Sequence, residues 1–190
     1  PSDDISTREL RQAETNNAAK ILGVSTINFL GFHDSGLSLS NYPENAFASC
    51  NVGDASIRLS ALVDRHDINV MICDDKFGIY GHPDHVQAHK VGKASAELCG
   101  VNELYYSTVD REYLHFVETH LVEEASKSRD VSMLKMANST LGMSSVEITH
   151  TLYVGDVITQ KRDAMAAHAS QIDDTSSALS LDDNQFKAVY

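Results

Sequence analysis

An apolar run followed by a histidine-rich turn and a helix constrains the fold of this chain most. The run from Ile68 to Cys73 is typical of a buried strand, and the segment from Val86 to Leu98 is helix-like. His82, His85 and His89 lie between the strand and the first turns of the helix. In open α/β proteins, polar titratable side chains at the carboxyl end of a strand form the functional site. The segment therefore predicts both a fold class and the position of the chemistry.

Strand-like and helix-like segments alternate through most of the chain. This alternation predicts a single α/β domain over residues 1–190, with a mostly parallel sheet flanked by helices. The segment from Asp173 onward is predicted to be a polar tail with isolated apolar residues. Further strands are predicted at 25–32, 104–109 and 146–154, and helices at 7–22, 53–65, 110–127, 131–137 and 159–169.

Charge and composition exclude several classes of protein. Lys and Arg total 15 against 27 Asp and Glu, and the formal net charge of −12 argues against binding to nucleic acid. The sequence contains no run of about 18 apolar residues, so it predicts no membrane span. Cys50, Cys73 and Cys99 are far apart and form no Cys-x-x-Cys pair, which is typical of a protein of the reducing cytoplasm.

The turn itself offers imidazole and carboxylate groups at close spacing. His85 and His89 are four residues apart and lie on one side of the helix, whereas Pro83 keeps His82 in the loop before it. Asp84 is placed to accept a bond from an imidazole N–H group and so to fix its tautomer. Imidazole suits Zn²⁺ and related metals. The pattern is consistent with metal binding or acid–base chemistry, and equally with unreactive surface histidines.

The stretch GHPDHxxxH, which begins at Gly81 after the predicted strand, resembles the second zinc motif of the PIG-L-like (N-acetylglucosaminyl) deacetylases. With Tyr80 before it, the stretch is most similar to the mycothiol-biosynthesis deacetylases and the mycothiol conjugate amidases. Three other segments agree with family motifs in order and spacing, so the resemblance covers nearly the whole chain. They are Arg11 to Glu14 (an Arg-x-x-Glu helix), Phe29 to Gly36 (FLGFHDSG) and Lys161 to Gln171 (a late helix with Ala-His-x-x-Gln).

The resemblance implies zinc-dependent hydrolysis of an N-acyl amide on a small amino-sugar conjugate, with Zn²⁺ as the cofactor. His85 would be a zinc ligand. His82 would carry positive charge and stabilise the oxyanion of the tetrahedral intermediate, and Asp84 would orient His82. Tyr80 would polarise the amide carbonyl or help proton transfer. Zinc chemistry, together with an oxyanion donor worth about 2.7–4 kcal/mol, is consistent with these roles.

Two residues outside the turn complete the implied site. Arg11 and Asp34 would contact hydroxyl groups of the sugar. Each has a simpler interpretation, because Arg11 and Glu14 are also what an exposed helix presents, and Asp34 stands in a turn with Ser and Gly. His89 is expected to lie behind the ligand or to pack the helix, and His168 is expected to be structural near the site.

One motif of the family is absent. Ala-His-Pro-Asp-Asp-Glu, which supplies two zinc ligands and the general base, has no counterpart before Arg11. We therefore expect a partial Rossmann-like domain that lacks its N-terminal strand–helix–strand and that binds zinc and turns over poorly as it stands. An exposed sheet edge would favour pairing between chains, as in a homo-oligomer, or instability. Two alternatives stay open: a non-catalytic sugar-binding domain that has lost the metal, and a truncated product with no function of its own.

Overall fold

The computed structural model describes residues 5–36, 42–117, 141–172 and 179–189. These residues form two compact units. The first contains 5–29, 116–117, 149–172 and 179–189, and the second contains 30–36, 42–115 and 141–148. The single-domain interpretation stays a prediction. Of the predicted site residues, Arg11 lies in the first unit and all the others lie in the second.

Helices and a small parallel sheet make up the described residues. Strands β1 (Val70–Asp74) and β2 (Glu103–Ser107) form the sheet, and 3₁₀ turns stand at Phe47–Ser49 and Gly155–Val157. The predicted α/β class, with a parallel sheet flanked by helices, is confirmed. In the described ranges, no helix combines the length and the apolar character that crossing a bilayer requires. The helices are α1 (Ile5–Leu22), α2 (Val52–Arg65), α3 (Gly78–Gly81), α4 (Pro83–Cys99), α5 (Arg111–Val117), α6 (Ile158–Ala166) and α7 (Asp183–Val189).

The succession β1–α4–β2 positions the candidate site. The two strands run parallel, with Val70 opposite Glu103 and Asp74 opposite Ser107. The N–H group of Asp75 donates to the carbonyl of Ser107 at 3.1 Å and extends the pairing by one bond. Because parallel strands end at the same edge of a sheet, Asp74, Asp75 and the start of α4 meet there. This is the edge at which the sequence places the histidine-rich turn.

Local residues set both ends of α4. His82 is the N-cap, and its Nδ1 atom accepts a bond from the N–H group of Asp84 at 3.1 Å. Pro83 stands in the first turn, where its missing N–H group is not needed, so the helix begins before the predicted Val86. Gly100 ends the helix in a left-handed conformation, with φ 68°. The histidine-rich turn is thus the cap and first turn of a stable helix.

Close packing holds α4 on the sheet. Gly92 faces Cys73, and a Cβ atom on Gly92 would lie 2.9 Å from the Cβ of Cys73. Burial, followed by the charge of Asp74, raises the pKa of the Cys73 thiol to about 11, so this thiol stays protonated and unreactive. On its other side α4 contacts α2, whose Ser56 hydroxyl donates to the carbonyl of the buried Val91 at 3.4 Å. The first turn of α4 therefore has a fixed position at the sheet edge.

Two of the strand predictions are wrong. Residues 25–32 and 146–154 contain alternating apolar side chains, yet neither segment is a strand in the structure. Val146 and Leu152 are 92% and 83% exposed. Alternation marks a strand only where a sheet offers a neighbour to bond with, and among the described residues the sheet consists of β1 and β2. The predicted helix at 131–137 and the part of 110–127 beyond residue 117 lie outside the described residues.

Strand β1 also carries exposed apolar side chains. The large apolar side chains of Val70 and Ile72 are both exposed in the described part of the chain. Exposed apolar residues on a short strand favour association with another apolar surface or strand. The pairing between chains that the sequence analysis expects stays a prediction.

In the first unit, α1 packs against α6 and buries Glu14. Only 6% of Glu14 is exposed, so its interpretation as an exposed helical residue is wrong. Its carboxylate accepts bonds from the N–H group and from the hydroxyl group of Ser170, both at 2.7 Å. These two bonds, with smaller contributions from His168 and Arg11, outweigh burial and hold the pKa of the Glu14 carboxyl below its usual value. Glu14 therefore ties α1 to the chain that follows α6.

The Glu14 carboxylate predicts a specific sensitivity to acid. Because its folded-state pKa is depressed, its stabilising contribution is complete above the unfolded-state pKa of about 4.3 and is lost as the pH falls through the folded-state value. We expect Glu14→Gln to flatten the decline of the melting temperature between about pH 5 and pH 3. Thermal unfolding followed by circular dichroism measures this slope. Glu9→Gln, on the exposed side of α1, is the control, and equal slopes for the two variants would contradict the prediction.

Candidate active site

Three aromatic rings stand together at the carboxyl edge of the sheet. The ring centroids are 5.3 Å apart for Tyr80 and His85, 5.4 Å for His82 and His85, and 5.9 Å for Tyr80 and His82. Tyr80 belongs to α3, His82 caps α4 and His85 lies in the first turn of α4. The side chains that the sequence analysis selects for catalysis are therefore neighbours in space.

Asp75 holds the turn that presents Tyr80. Its side chain is almost fully buried, and one carboxylate oxygen accepts bonds from the N–H groups of Phe77 (2.8 Å) and Ile79 (3.0 Å). The other oxygen accepts a bond from the hydroxyl of Thr108 at 2.5 Å. Ile79 has a positive φ of 61°, a strained conformation that costs a residue of this kind about 1–3 kcal/mol. The bonds to Asp75 offset this strain. Sequence reasoning missed Asp75, although a carboxylate directly after a buried strand is a usable signal.

Gly78 allows the turn to approach α4 closely. Its φ is +64°, and a Cβ atom at this position would lie 2.7 Å from the backbone nitrogen of Val86 and 3.0 Å from the Cβ of His85. Glycine is the residue that adopts this conformation without such contacts. From the other direction, the N–H group of Gly142 donates to the carbonyl of Ile79 at 3.0 Å. The turn is thus held between α4 and the segment around residue 142.

His85 and His89 both bond to Asp74, the last residue of β1. His85 Nδ1 lies 2.9 Å from Oδ2 of Asp74, and His89 Nδ1 lies 3.0 Å from the carbonyl oxygen of the same residue. Both oxygens are acceptors, so each imidazole donates from Nδ1. The ring of His89 packs on Tyr106, with centroids 4.8 Å apart. Asp74 thus orients the rings of both histidines, and His89 packs α4 onto β2.

Asp84 is held by Ser35, which lies 49 residues earlier. The N–H group of Ser35 donates to Oδ2 of Asp84 at 3.0 Å, and the hydroxyl donates to Oδ1 at 2.5 Å. The same hydroxyl, which is buried, accepts a bond from the N–H group of Ala48 at 2.9 Å. Sequence reasoning missed Ser35, because nothing local in the sequence pairs it with Asp84.

The contact between Asp84 and His82 runs through the main chain. The N–H group of Asp84 donates to Nδ1 of His82, which makes Nδ1 an acceptor. With Nδ1 as the acceptor, the ring nitrogen that is left to donate is Nε2. The resemblance implies a positive charge on His82 and an orienting role for the Asp84 carboxylate, whereas here that carboxylate bonds to Ser35.

Asp34, His82 and Asp84 form what we call the carboxylate–histidine cluster. Each of the three offers a ligand atom, and these atoms all lie within 4.8 Å of one another. Asp34 is also a turn former, as its simpler interpretation predicts, since its Oδ1 accepts a bond from the N–H group of Gly36 at 2.6 Å. Imidazole nitrogens and carboxylate oxygens are the donors that Zn²⁺ takes in proteins. The cluster is therefore a group that could hold a metal ion, and the His85 ring stands beside that of His82.

The electrostatics of the site keep Tyr80 protonated. Burial, followed by the negative charges of Asp34, Asp74 and Asp84, raises the pKa of Tyr80 above its usual value. The tyrosine therefore keeps its O–H group at any physiological pH and is available as a hydrogen-bond donor. The residue is also exposed, so a ligand can reach it.

Arg11 stands on α1 in the first unit, where its carbonyl accepts a bond from the hydroxyl of Thr15 at 2.8 Å, and its predicted role in sugar binding stays a prediction. A cleft of about 400 Å³ opens at the amino ends of the strands and includes Ile68, Asn69 and Glu103 in its lining. The cleft contains none of the predicted site residues, so we assign no part of the chemistry to it.

Comparison with known proteins gives matches over most of the chain. The profile of the family described as PIG-L, GlcNAc-PI de-N-acetylase, matches residues 1–96, a range that includes the histidine-rich turn. A 1D-myo-inositol 2-acetamido-2-deoxy-alpha-D-glucopyranoside deacetylase from Mycobacteroides abscessus is 38% identical over 106 residues, which cover 52% of this chain and 38% of that protein.

Two longer matches extend beyond the turn. The deacetylase of the same name from Actinosynnema mirum is 30% identical over 169 residues, which cover 85% of this chain and 59% of that protein. The corresponding deacetylase 1 from Catenulispora acidiphila is 28% identical over 183 residues, covering 86% of this chain and 57% of that protein. The chain thus spans less than two thirds of the length of the relatives it matches.

Proposed function

We propose that this chain, which belongs to the PIG-L family of GlcNAc-PI de-N-acetylases, is part of a zinc-dependent hydrolase acting on an N-acetylglucosaminyl conjugate. The observation that carries the proposal is the group of Tyr80, His82 and His85 beside the carboxylates of Asp34 and Asp84. Relatives that are named as deacetylases of a 2-acetamido-2-deoxy-glucopyranoside of myo-inositol support the substrate class. An amino sugar joined to inositol is therefore the substrate to test first.

Zinc is the cofactor that the donor set favours. When bound, zinc supplies Lewis acidity, which polarises a carbonyl group and makes water a stronger nucleophile near neutral pH. We assign His85 as a ligand through Nε2, because its Nδ1 atom bonds to Asp74.

His82 and Tyr80 are assigned to the oxyanion that develops at the amide carbonyl. The Nδ1 atom of His82 is an acceptor, so its donor is the N–H group at Nε2, and Tyr80 keeps its hydroxyl proton. Their ring centroids are 5.9 Å apart, so the two donors belong to neighbouring side chains. Hydrolysis then breaks the amide C–N bond, and acetate and a free amine leave.

One sugar contact is assigned to Asp34. A carboxylate has about four lone-pair positions, so Asp34 is able to accept a bond from a sugar hydroxyl beside the one from Gly36. The sugar contact of Arg11, which the resemblance implies, stays a prediction. The substrate is expected to be a cytoplasmic conjugate, because Cys50, Cys73 and Cys99 are free, as is usual for a reducing compartment.

Acetate release tests the proposal. The assay uses the protein encoded by the whole open reading frame, because this chain covers 57% and 59% of the two relatives that match most of it. N-acetylglucosaminyl-inositol is supplied together with zinc, and free acetate and free amine are both measured. We expect the two products in equal amounts, their loss after treatment with a chelator, and their recovery when zinc is added back.

The outcomes separate the proposal from its alternatives. Glycan binding that a chelator leaves unchanged, without acetate release, would identify a sugar-binding domain instead. An absence of both binding and acetate release in the zinc-supplied protein would contradict the deacetylase assignment. Lys90→Ala, which changes an exposed residue of α4, is the control for effects of preparation.

A further inference from the structure

We propose that Asp74 is a positioning residue that fixes the tautomer of His85 and so makes Nε2 its metal-binding atom. The inference rests on the proposed function, because it gives His85 a metal-binding role. Two contacts from this one residue carry it. Oδ2 of Asp74 lies 2.9 Å from Nδ1 of His85, and its carbonyl oxygen lies 3.0 Å from Nδ1 of His89.

The placement of Asp74 explains how one residue orients two rings. His85 and His89 are four residues apart on α4, so both Nδ1 atoms face the end of β1. The contact is partly shielded from water, since the side chains of His85 and Asp74 are 36% and 24% exposed. An ionised carboxylate accepts hydrogen bonds and donates none, so the bond selects the Nδ1–H form of His85. In free neutral histidine the other form predominates, and its proton on Nε2 would occupy the ligand atom.

The neighbouring carboxylate shows that Asp74 has a separate task. Asp75 is buried and accepts the N–H groups of Phe77 and Ile79, so it holds the turn. Asp74 instead directs its carboxylate and its carbonyl to the two histidines. We therefore expect Asp74 to tolerate substitution with less damage to the turn than Asp75.

Long-range proton–nitrogen correlation spectra of histidine-labelled protein read the tautomer directly. The spectra are recorded without metal at about pH 8, above the reference pKa of about 6.5 for a free imidazole. In the wild-type protein we expect the His85 proton on Nδ1. Asp74→Ala is expected to move His85 toward the Nε2–H form. Asp74→Asn is expected to give an intermediate population, because its amide accepts from Nδ1–H but is also able to donate.

Zinc affinity supplies a second readout. A residue that orients a metal-binding histidine typically contributes about 10–100-fold to metal affinity, so we expect Asp74→Ala to weaken zinc binding by about this factor. Isothermal titration calorimetry with zinc alone measures the change. Asp64→Ala, which removes an exposed carboxylate and the same charge from α2, is the matched control and is expected to leave the His85 tautomer and the zinc affinity unchanged.

A wild-type spectrum with the His85 proton on Nε2 would overturn the inference without any variant. A folded Asp74→Ala protein with an unchanged His85 signal, or with a changed signal and unchanged zinc affinity, would overturn it as well. A shift of the tautomer and of zinc affinity in a protein that releases no acetate would support the positioning role while the deacetylase proposal fails. The two failures are therefore distinguishable.

Discussion

His85→Ala is expected to remove stoichiometric zinc and to lower kcat/KM for acetate release by about 10²–10⁴-fold. Stabilisation of the transition state by a metal ion contributes several kcal/mol, and about 1.4 kcal/mol corresponds to a tenfold change in rate. The Nδ1 atom of His85 is bonded to Asp74, so Nε2 is the atom that it presents to a metal. Zinc content and initial rates at saturating zinc, in the protein encoded by the whole open reading frame, measure the two effects separately.

Two neighbouring histidines provide matched controls for this variant. His82→Ala removes one oxyanion donor, so it is expected to keep zinc and to lose about 10²–10³-fold in kcat. His89→Ala removes a ring that packs on Tyr106 and is expected to keep zinc. The reverse pattern, in which zinc is lost with His82→Ala and kept with His85→Ala, would move the metal to the carboxylate–histidine cluster.

Asp75→Ala is expected to lower the free energy of unfolding by about 3–5 kcal/mol, because hydrogen bonds to a charged group contribute about 1.5–3 kcal/mol each and their buried partners are left unsatisfied. Those partners are the N–H groups of Phe77 and Ile79 and the hydroxyl of Thr108. Ile79 would also lose the bonds that offset the strain of its positive φ. Urea unfolding followed by circular dichroism measures the change.

Asp75→Asn is the informative companion to this variant. Its amide oxygen accepts the same two N–H groups, and its amide nitrogen faces the Thr108 hydroxyl, which is able to accept. We expect a loss of about 1–2 kcal/mol, clearly smaller than that of Asp75→Ala. Similar losses for the two variants would show that the charge, rather than the hydrogen-bond pattern, holds the turn.

Features that depend on neighbouring residues could be predicted from the sequence. The periodic helices α1 and α2 were expected within two residues of their bounds. The turn after β1 was expected because Pro83 keeps His82 out of the helix, an effect of adjacent residues, although α4 begins at Pro83 and not at Val86. The relation of His82 to His85 follows from the same few residues.

Features that depend on distant partners could not be predicted in this way. Ser35 bonds to Asp84 across 49 residues and Glu14 bonds to Ser170 across 156, and no local pattern indicates either pair. The segments at 25–32 and 146–154 alternate as strands do, but alternation does not show whether a sheet offers them a partner. The sequence predicts a polar tail where the structure has helix α7 (Asp183–Val189), because a helix this short gives little periodic signal. The apolar residue that α7 buries is Phe186.

Two adjacent carboxylates stand at the end of β1. The site therefore depends on the register of β1 against β2. Asp74 faces the histidines and Asp75 holds the turn, and successive residues of an extended chain project to opposite sides. A slip of one residue would carry Asp74 into the place of Asp75 and Cys73 into the place of Asp74, so the imidazoles would meet a protonated thiol in place of a carboxylate. We therefore expect that a single residue inserted in β1 would abolish the hydrolytic activity, even with every histidine still present.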